Sequence, residues 1–311
     1  MKPNLETLKT FTEDSLPDLD TVVLGALEFL GGETLPQINV GGFKRLMVVG
    51  SGNALSAGRV IFSEGNVLFK NESTYLDAFA TEKDIDAVCI ISASGGKHAI
   101  EIVKESIQKD IPVFLLTNTE DSSAAKYLDP SLVTVFPKIR EPYTYNTSTY
   151  LGMLLSHSGE DAVAIHEFIE REVAPIIPVT FASYDAFFLL VPSKYDVMRE
   201  MFATKFDELF GTELMGRVFT REQAKHAKTV VASPTEYFIS FDEVNTLFGT
   251  EQNRLTIPLP QSAGPAAMLA VGYYVIGHIQ KQFPPFFKDN ISRYVSETSE
   301  VFGQTISVIV E

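Results

Sequence analysis

The chain has 311 residues, of which 45% are hydrophobic and 21% charged, a composition that supports one large buried core or two modest ones. Its formal net charge of −15 argues against nucleic-acid binding, because affinity for a phosphate backbone comes from clustered lysine and arginine, and no such cluster occurs. A single cysteine and the lack of an apolar run of about 18 residues argue against a disulfide framework and membrane insertion. The expected location is the cytoplasm.

Strand and helix signals alternate through the first half of the chain. Strands are predicted at residues 45–50, 67–70, 87–91, 113–116 and 132–136, and helices at 54–64, 99–109 and 145–157. The continuous apolar runs are typical of strands covered on both faces. This alternation predicts a doubly wound α/β unit with a parallel sheet.

The same alternation of strands and helices returns after a stretch at 170–182 that contains prolines, which we interpret as the linker to a second unit. Strands are predicted at 186–191, 237–241 and 255–257, and helices at 196–210 and 266–280. The predicted fold class is therefore α/β, with two tandem, flavodoxin-like, doubly wound units in three αβα layers. The expected division is an N-terminal helical segment at 1–40, a first unit at 41–170 and a second unit at 183–311.

A loop of hydroxyls and glycines lies between the predicted strand 87–91 and the predicted helix 99–109. This serine–glycine loop, residues 92–98, reads Ser-Ala-Ser-Gly-Gly-Lys-His. A strand that ends where a helix begins leaves backbone N–H groups unpaired, with the positive end of the helix dipole behind them. Helix capping needs one hydroxyl, whereas this loop offers two, a lysine and two glycines that permit close approach. The favoured interpretation is a phosphate-binding loop with Ser92, Ser94, Gly95 and Lys97 as its ligands.

The turn Ser51-Gly52-Asn53 follows the first predicted strand and is a second candidate contact, although asparagine in a turn often bonds its own backbone. This turn begins like the dinucleotide loop G-x-G-x-x-G, but Leu55 stands where the third glycine is required, and no G-x-x-x-x-G-K-[ST] occurs. The chain has no H-E-x-x-H pair, and Cys89 alone cannot build a thiolate zinc site. We expect neither a cofactor nor a metal.

The serine–glycine loop resembles the S-x-S-G-x-T phosphate loop of the sugar isomerase (SIS) family, with Lys97 where threonine is usual. Residues 50–53 resemble the first loop of that family, which closes over the same sugar. Residues 141–150 resemble the E-x-x-x-x-S-T-K-x-F segment of glucosamine-6-phosphate synthases, with Thr147 in register and Ser148 in place of lysine. The resemblance implies tandem α/β units that bind a phosphosugar.

The second half resembles the same synthases more loosely. Residues 205–208 resemble their K-x-x-E, which implies that Glu208 is the proton-transferring base. Residues 222–226 resemble their E-x-K-H segment, which implies that His226 opens the sugar ring and can come from a neighbouring subunit. Two features depart from the family pattern: Ala227-Lys228 replace the usual Gly-Pro, and no lysine follows Lys288.

The residue types suit proton transfer between C1 and C2 of a sugar. A carboxylate in a partly dehydrated pocket has a raised pKa and can serve as the base, and Glu208 or, alternatively, Glu213 is the candidate. His226 suits acid–base work on the ring oxygen because imidazole titrates near neutrality. Arg140 can stabilise a developing enediolate. The competing interpretations are a solvated surface role for Glu208 and His226, and an ion pair with Glu141 for Arg140.

These features predict a phosphosugar isomerase that interconverts aldose and ketose through an enediol. The expected partners are a phosphorylated sugar and a second copy in a homodimer, with the active site near the subunit interface, and neither nucleic acid nor membrane. Two alternatives remain open. The protein could be a phosphosugar deaminase or deglycase of the same family, or a phosphosugar-binding protein without chemistry.

Overall fold

The computed structural model describes residues 2–96, 98–181, 183–303 and 305–311, apart from the side chain of Phe302. The helices are α1 Pro3–Thr10, α2 Leu19–Leu30, α3 Asn53–Ile61, α4 Tyr75–Thr81, α5 His98–Gln108, α6 Thr147–Ser158, α7 Ala162–Phe168, α8 Arg199–Phe210, α9 Arg221–Ala224, α10 Pro265–Gln280 and α11 Phe286–Phe302. The strands are β1 Leu46–Val49, β2 Val67–Lys70, β3 Ala87–Ile91, β4 Val113–Thr117, β5 Val133–Val135, β6 Glu141–Pro142, β7 Ala186–Val191, β8 Met215–Thr220, β9 Glu236–Phe241, β10 Arg254–Ile257 and β11 Ile309–Val310.

These elements fall into two compact units. The first-sheet unit contains the described residues of 33–138 and 148–159, and the second-sheet unit contains those of 1–32, 139–147 and 160–311. Helices α1 and α2 belong to the second-sheet unit, where α2 packs along α10. Neither unit is a single continuous stretch of chain.

The first sheet is parallel throughout, with strand order β2-β1-β3-β4-β5. Strands β1 and β3 are fully buried, as expected for apolar runs covered on both faces. Side chains of Met47, Val49, Val88 and Ile90 pack with Ile102 of α5 in one core cluster. The structure confirms the predicted α/β class with a parallel sheet.

The strand order places a topological switch point between β1 and β3. These strands are neighbours, with Leu46 opposite Ala87 and Val49 opposite Ile90. The chain leaves β1 towards β2 on one side and leaves β3 towards β4 on the other. In doubly wound sheets, the crevice at such a point, outside the carboxyl ends of the strands, is where ligands bind. The loops after β1 and β3 are the two candidate phosphate contacts.

The second sheet is also parallel, with order β10-β9-β7-β8. Strand β8 was missed by the sequence prediction, because its sequence MGRVFT has neither an apolar run nor a strict alternation. It pairs with β7, with Ala186 opposite Met215 and Val191 opposite Thr220. A Cβ on Gly216 would lie 2.0 Å from the ring of Phe206, so only glycine lets α8 approach β8 this closely.

The rest of the second-sheet unit consists of helices and one small ribbon. Helix α10 is almost wholly buried and approaches α2 so closely that a Cβ on Gly277 would lie 2.0 Å from the backbone nitrogen of Asp20. Strands β6 and β11 pair antiparallel, with Glu141 opposite Val310. Among the described helices, none is long and apolar enough to cross a membrane.

Candidate functional site

The serine–glycine loop turns sharply between β3 and α5, which begins at His98. Ser92 is half-buried, Ser94 is exposed, and Lys97 lies outside the described residues. The Gly95 N–H donates to the Ser92 carbonyl at 3.2 Å, and the Gly96 N–H donates to Ser94 Oγ at 3.4 Å. Two loop amides therefore already have acceptors within the loop. Among the described residues, no acceptor pairs with the N–H of Ser94.

Gly95 is required by both its backbone conformation and its surroundings. Its φ is +55°, in the left-handed region, and a Cβ would lie 2.3 Å from Ser122 Oγ. An L side chain would be strained there whatever space was available. Glycine at this position thus permits the loop to pack against the segment after β4.

Sequence reasoning missed the polar residues at the end of β4 and directly after it. The Ala93 carbonyl accepts hydrogen bonds from Thr117 Oγ1 at 2.9 Å, Asn118 N at 3.2 Å and Thr119 Oγ1 at 3.2 Å. Asn118 Nδ2 also donates to Thr149 Oγ1 on α6. The run Thr-Asn-Thr directly after the predicted strand 113–116 was the available signal, since the carboxyl ends of parallel strands lie at one edge of the sheet.

The turn after β1 lies at the same switch point. The Ser51 hydroxyl donates to Glu72 Oε2 at 2.6 Å, so a carboxylate already occupies it. Gly52 is exposed with φ +50°, and Asn53 is buried at the start of α3. Of the two loops, the serine–glycine loop is better equipped for an anion, because Glu72 places negative charge beside Ser51.

The segment that leads into α6 is strained and holds a buried hydroxyl. Thr144 and Asn146 have φ of +74° and +47°. A positive φ in a β-branched residue is a genuine outlier, and such strain tends to gather at functional sites. The buried Glu141 carboxylate accepts the Thr147 N–H at 2.6 Å. Thr147 is 0% exposed, and its hydroxyl has no partner among the described residues.

Glu208 lies near the end of α8 in a mostly dehydrated position. Its side chain is 25% exposed, and Oε2 accepts a 2.6 Å hydrogen bond from Lys205 Nζ, whose side chain is 0% exposed. Lys205 Nζ also donates to the Thr144 carbonyl at 2.8 Å. Burial raises the pKa of Glu208 above its usual value, and Lys205 opposes that rise without cancelling it. A carboxylate with a raised pKa is suited to general-base work.

The other predicted catalytic residues stand apart from the Lys205–Glu208 pair. Glu213 is exposed and bonds through its backbone N–H to the Phe210 carbonyl. His226 is also exposed, on a turn after α9 beside Glu222. In the described part of the chain, no hydrogen bond or ion pair connects either side chain to Glu208.

Arg140 directly precedes β6, and its side chain contacts residues near the β6–β11 ribbon. Its Nε pairs with Glu311 Oε1 at 2.9 Å, its Nη1 donates to the Phe11 carbonyl, and its guanidinium carbon lies 4.4 Å from the centre of the Phe11 ring. The sequence offered Glu141 as the alternative ion-pair partner, but Glu311 is the partner in the structure. These contacts favour a structural role, because they already use the guanidinium.

The second sheet has its own switch point between β7 and β9, and its chemistry differs. The loop after β9 contains Asp242 and Glu243. The side chain of Asn245 in the same loop hydrogen-bonds the backbone of Leu247 and Phe248. Two carboxylates disfavour an anion there. No cluster of three or more potential metal ligands occurs among the described residues.

No protein-family model and no curated protein matches this chain. Solved structures do match. The C-terminal domain of glucosamine-fructose-6-phosphate aminotransferase from Francisella tularensis aligns with a TM-score of 0.63 at 12% identity, over 88% of this chain and 98% of that one. The chain shares its fold.

Two further solved structures resemble this chain. Tagatose-6-phosphate ketose/aldose isomerase from Escherichia coli aligns with a TM-score of 0.58 at 10% identity, over 92% of this chain and 90% of that one. Glucosamine-6-phosphate deaminase from Thermotoga maritima gives 0.55 at 15% identity, over 84% and 92%. At these identities the matches establish the fold alone. They agree with the α/β class that the sequence predicts.

Proposed function

We propose that this protein is a cytoplasmic phosphosugar isomerase of the tandem SIS type, which interconverts an aldose and a ketose phosphate without a cofactor. The observation that carries the proposal is the serine–glycine loop at the carboxyl end of β3, beside the β1–β3 switch point. The loop's hydroxyls, its Ser94 amide and the N-terminus of α5 suit a phosphate dianion. Structures of a sugar-phosphate isomerase and a sugar-phosphate deaminase share the fold.

Different residues bind the phosphate and the sugar of the substrate. Ser92, Ser94, Gly95 and Lys97 hold the phosphate, and the turn of Ser51, Gly52 and Asn53 contacts the sugar. Thr147 supplies a hydroxyl to the sugar, since a buried hydroxyl without a protein partner costs folding free energy unless a ligand satisfies it. Phosphate binding, remote from the reacting carbons, holds C1 and C2 in place for reaction.

Glu208 is the proposed base. Its carboxylate removes the proton from C2 of the open-chain aldose, the C–H electron pair forms the C1–C2 double bond, and the carbonyl oxygen takes up a proton to give an enediol. Return of the proton to C1, with loss of the O2 proton, gives the ketose. Ring opening falls to His226, which we propose acts within a homodimer, where an exposed side chain can serve a neighbouring subunit's substrate.

Deuterium exchange tests the reaction directly. In D₂O, an enediol mechanism replaces the C1 or C2 hydrogen of the correct sugar phosphate by deuterium, which NMR detects even without net turnover. A panel of hexose and pentose phosphates, prescreened by thermal shift, identifies the substrate. E208Q should abolish exchange but retain binding, whereas E213Q, its exposed neighbour, should exchange like the wild type. Exchange at wild-type rate in E208Q would remove Glu208 from the mechanism.

The same samples separate the alternatives. Release of ammonia from an amino-sugar phosphate, without aldose–ketose interconversion, would indicate a deaminase. Tight binding with neither exchange nor release would indicate a binding protein. Absence of binding to every sugar phosphate in the panel would reject the proposal altogether.

A further inference from the structure

Three donors from the end of β4 converge on one carbonyl of the serine–glycine loop. Thr117 Oγ1, Asn118 N and Thr119 Oγ1 all lie within 2.9–3.2 Å of the Ala93 oxygen. A carbonyl oxygen has two lone pairs, so three donors exceed the two hydrogen bonds that it ordinarily accepts. Thr117 is fully buried and Thr119 is half-buried. Two threonine hydroxyls thus serve a single backbone group in the candidate phosphate loop.

These bonds hold the peptide between Ala93 and Ser94 in a reversed orientation. The N–H groups of Val88, in β3, and Ser92, just after it, point towards the β4 side, where they donate to the carbonyls of Pro112 and Leu116. Alternation along a strand would make the next carbonyl, that of Ala93, face β1. It faces the segment after β4 instead. The loop therefore departs from the strand pattern at this peptide, and the two threonines hold it there.

The reversal determines where the Ser94 N–H points. In a planar trans peptide, the C=O and the following N–H point in opposite directions. Because the Ala93 carbonyl faces the β4 side, the Ser94 N–H faces the β1 side, where the switch point lies. No described residue accepts this N–H. The same bonds turn the Ala93 carbonyl, a partial negative charge, away from an anion in the crevice.

A second carbonyl of the loop is also bonded from the β4 side. The Gly95 carbonyl accepts the Ala124 N–H at 2.9 Å, from the segment after β4. The amides of Gly95 and Gly96 donate within the loop, to the Ser92 carbonyl and to Ser94 Oγ. Of the three successive amides of Ser94, Gly95 and Gly96, that of Ser94 is therefore the one left without an acceptor among the described residues.

We infer that Thr117 and Thr119 are positioning residues for phosphate binding: their hydroxyls hold the Ala93–Ser94 peptide so that the Ser94 N–H donates to the phosphate. Neither threonine needs to touch the ligand. The inference rests on the proposed phosphosugar function and deepens it. It assigns the specificity of the loop for a dianion partly to side chains on the neighbouring strand.

Threonine-to-valine substitutions isolate the hydroxyls, because valine keeps the shape and removes the donor. The variants are T117V, T119V and the double variant, with T117S restoring the hydroxyl and T134V, in β5 of the same sheet, as the matched control. The probes are inorganic phosphate, titrated by ³¹P NMR and by the ¹⁵N–¹H shift of the Ser94 amide, and the substrate's KM and kcat. Thermal unfolding reports whether each variant folds.

Loss of one hydroxyl should weaken phosphate binding about fivefold, and loss of both more than tenfold. KM should rise while kcat at saturation stays near wild type, and the Ser94 amide should lose its phosphate-dependent shift. T117S and T134V should behave like the wild type. If buried T117V fails to fold, half-buried T119V carries the same prediction.

Two results would overturn the inference. Folded T117V/T119V that binds phosphate as tightly as T134V would show that the hydroxyls do not position the loop, while leaving the phosphosugar function standing. A wild-type protein that binds neither phosphate nor any sugar phosphate would reject the proposed function, and the inference with it.

Discussion

Lys205 Nζ, on a fully buried side chain, donates a 2.6 Å hydrogen bond to Oε2 of Glu208, one helical turn further along α8. Burial raises the pKa of the carboxyl and the ammonium group lowers it, and burial prevails. Glu208 is therefore poised to accept a proton at a higher pH than an exposed glutamate. The pH dependence of turnover can therefore test whether Glu208 is the base.

We expect kcat/KM to rise with pH as Glu208 loses its proton, with the acid limb above the ordinary glutamate pKa of 4.5. K205M removes the group that lowers this pKa, so the acid limb should move to higher pH. K104M, an exposed lysine replaced in the same way, should leave it in place. An acid limb that is the same in K205M and wild type would show that Glu208 is not the titrating base.

Thr147 offers a test that separates affinity from stability. T147V removes a buried hydroxyl that has no partner among the described residues, so the free energy of unfolding should change by less than about 1 kcal/mol or increase. Affinity for the sugar phosphate should fall severalfold if the hydroxyl contacts substrate. Urea unfolding and substrate titration measure the two effects. A clear loss of stability would mean that the hydroxyl serves the fold instead.

Gly95 can be compared with Gly159, which also has a positive φ. A Cβ at Gly159, with φ +70°, meets nothing within 4 Å, whereas one at Gly95 collides with Ser122. G159A should cost about 1–2 kcal/mol for the left-handed backbone alone, and G95A should cost about 1–3 kcal/mol more for overpacking. Chemical denaturation gives both values. Equal costs would contradict the close approach of Ser122, and G95A/S122G should recover part of the difference.

Glu160 caps α10 from a distant part of the chain. Its carboxylate accepts the N–H groups of Gly264, Ala266 and Ala267 at 2.8, 2.8 and 3.1 Å. Because these are charge-assisted bonds at the positive end of a helix dipole, E160A should lower the free energy of unfolding by about 2–3 kcal/mol. E167A, an exposed glutamate on α7, should stay within about 0.5 kcal/mol of wild type. Thermal unfolding of both variants checks the difference.

Much of the first sheet was predictable, because buried parallel strands read as short apolar runs between turn residues. The runs at 46–49, 87–91 and 113–117 show this directly. Strand β8 escaped prediction because its fit depends on Gly216 meeting Phe206, a contact between elements that no local pattern carries. The ribbon of β6 and β11 escaped for the same reason, since each strand has only two residues and finds its partner far along the chain.

The candidate site was predictable in part. Hydroxyls and glycines between a strand and a helix pointed to the loop that lies at the switch point. The surroundings of Glu208 could not be predicted from the local sequence. Lys205, which bonds it, also bonds the carbonyl of Thr144, a residue far away in the chain. The threonines at the end of β4 were overlooked because they bond a carbonyl in the loop after another strand, and strand order is a tertiary property.

The interleaving of the two units has a consequence for synthesis on the ribosome. Helix α2 is synthesised well before α10, along which it packs. The first-sheet unit can collapse as soon as α6 is available, whereas the unit that carries Glu208 is incomplete until α10 and the β11 strand have been synthesised. Until then the apolar face of α2 is unprotected, which makes the nascent chain a natural client for chaperones.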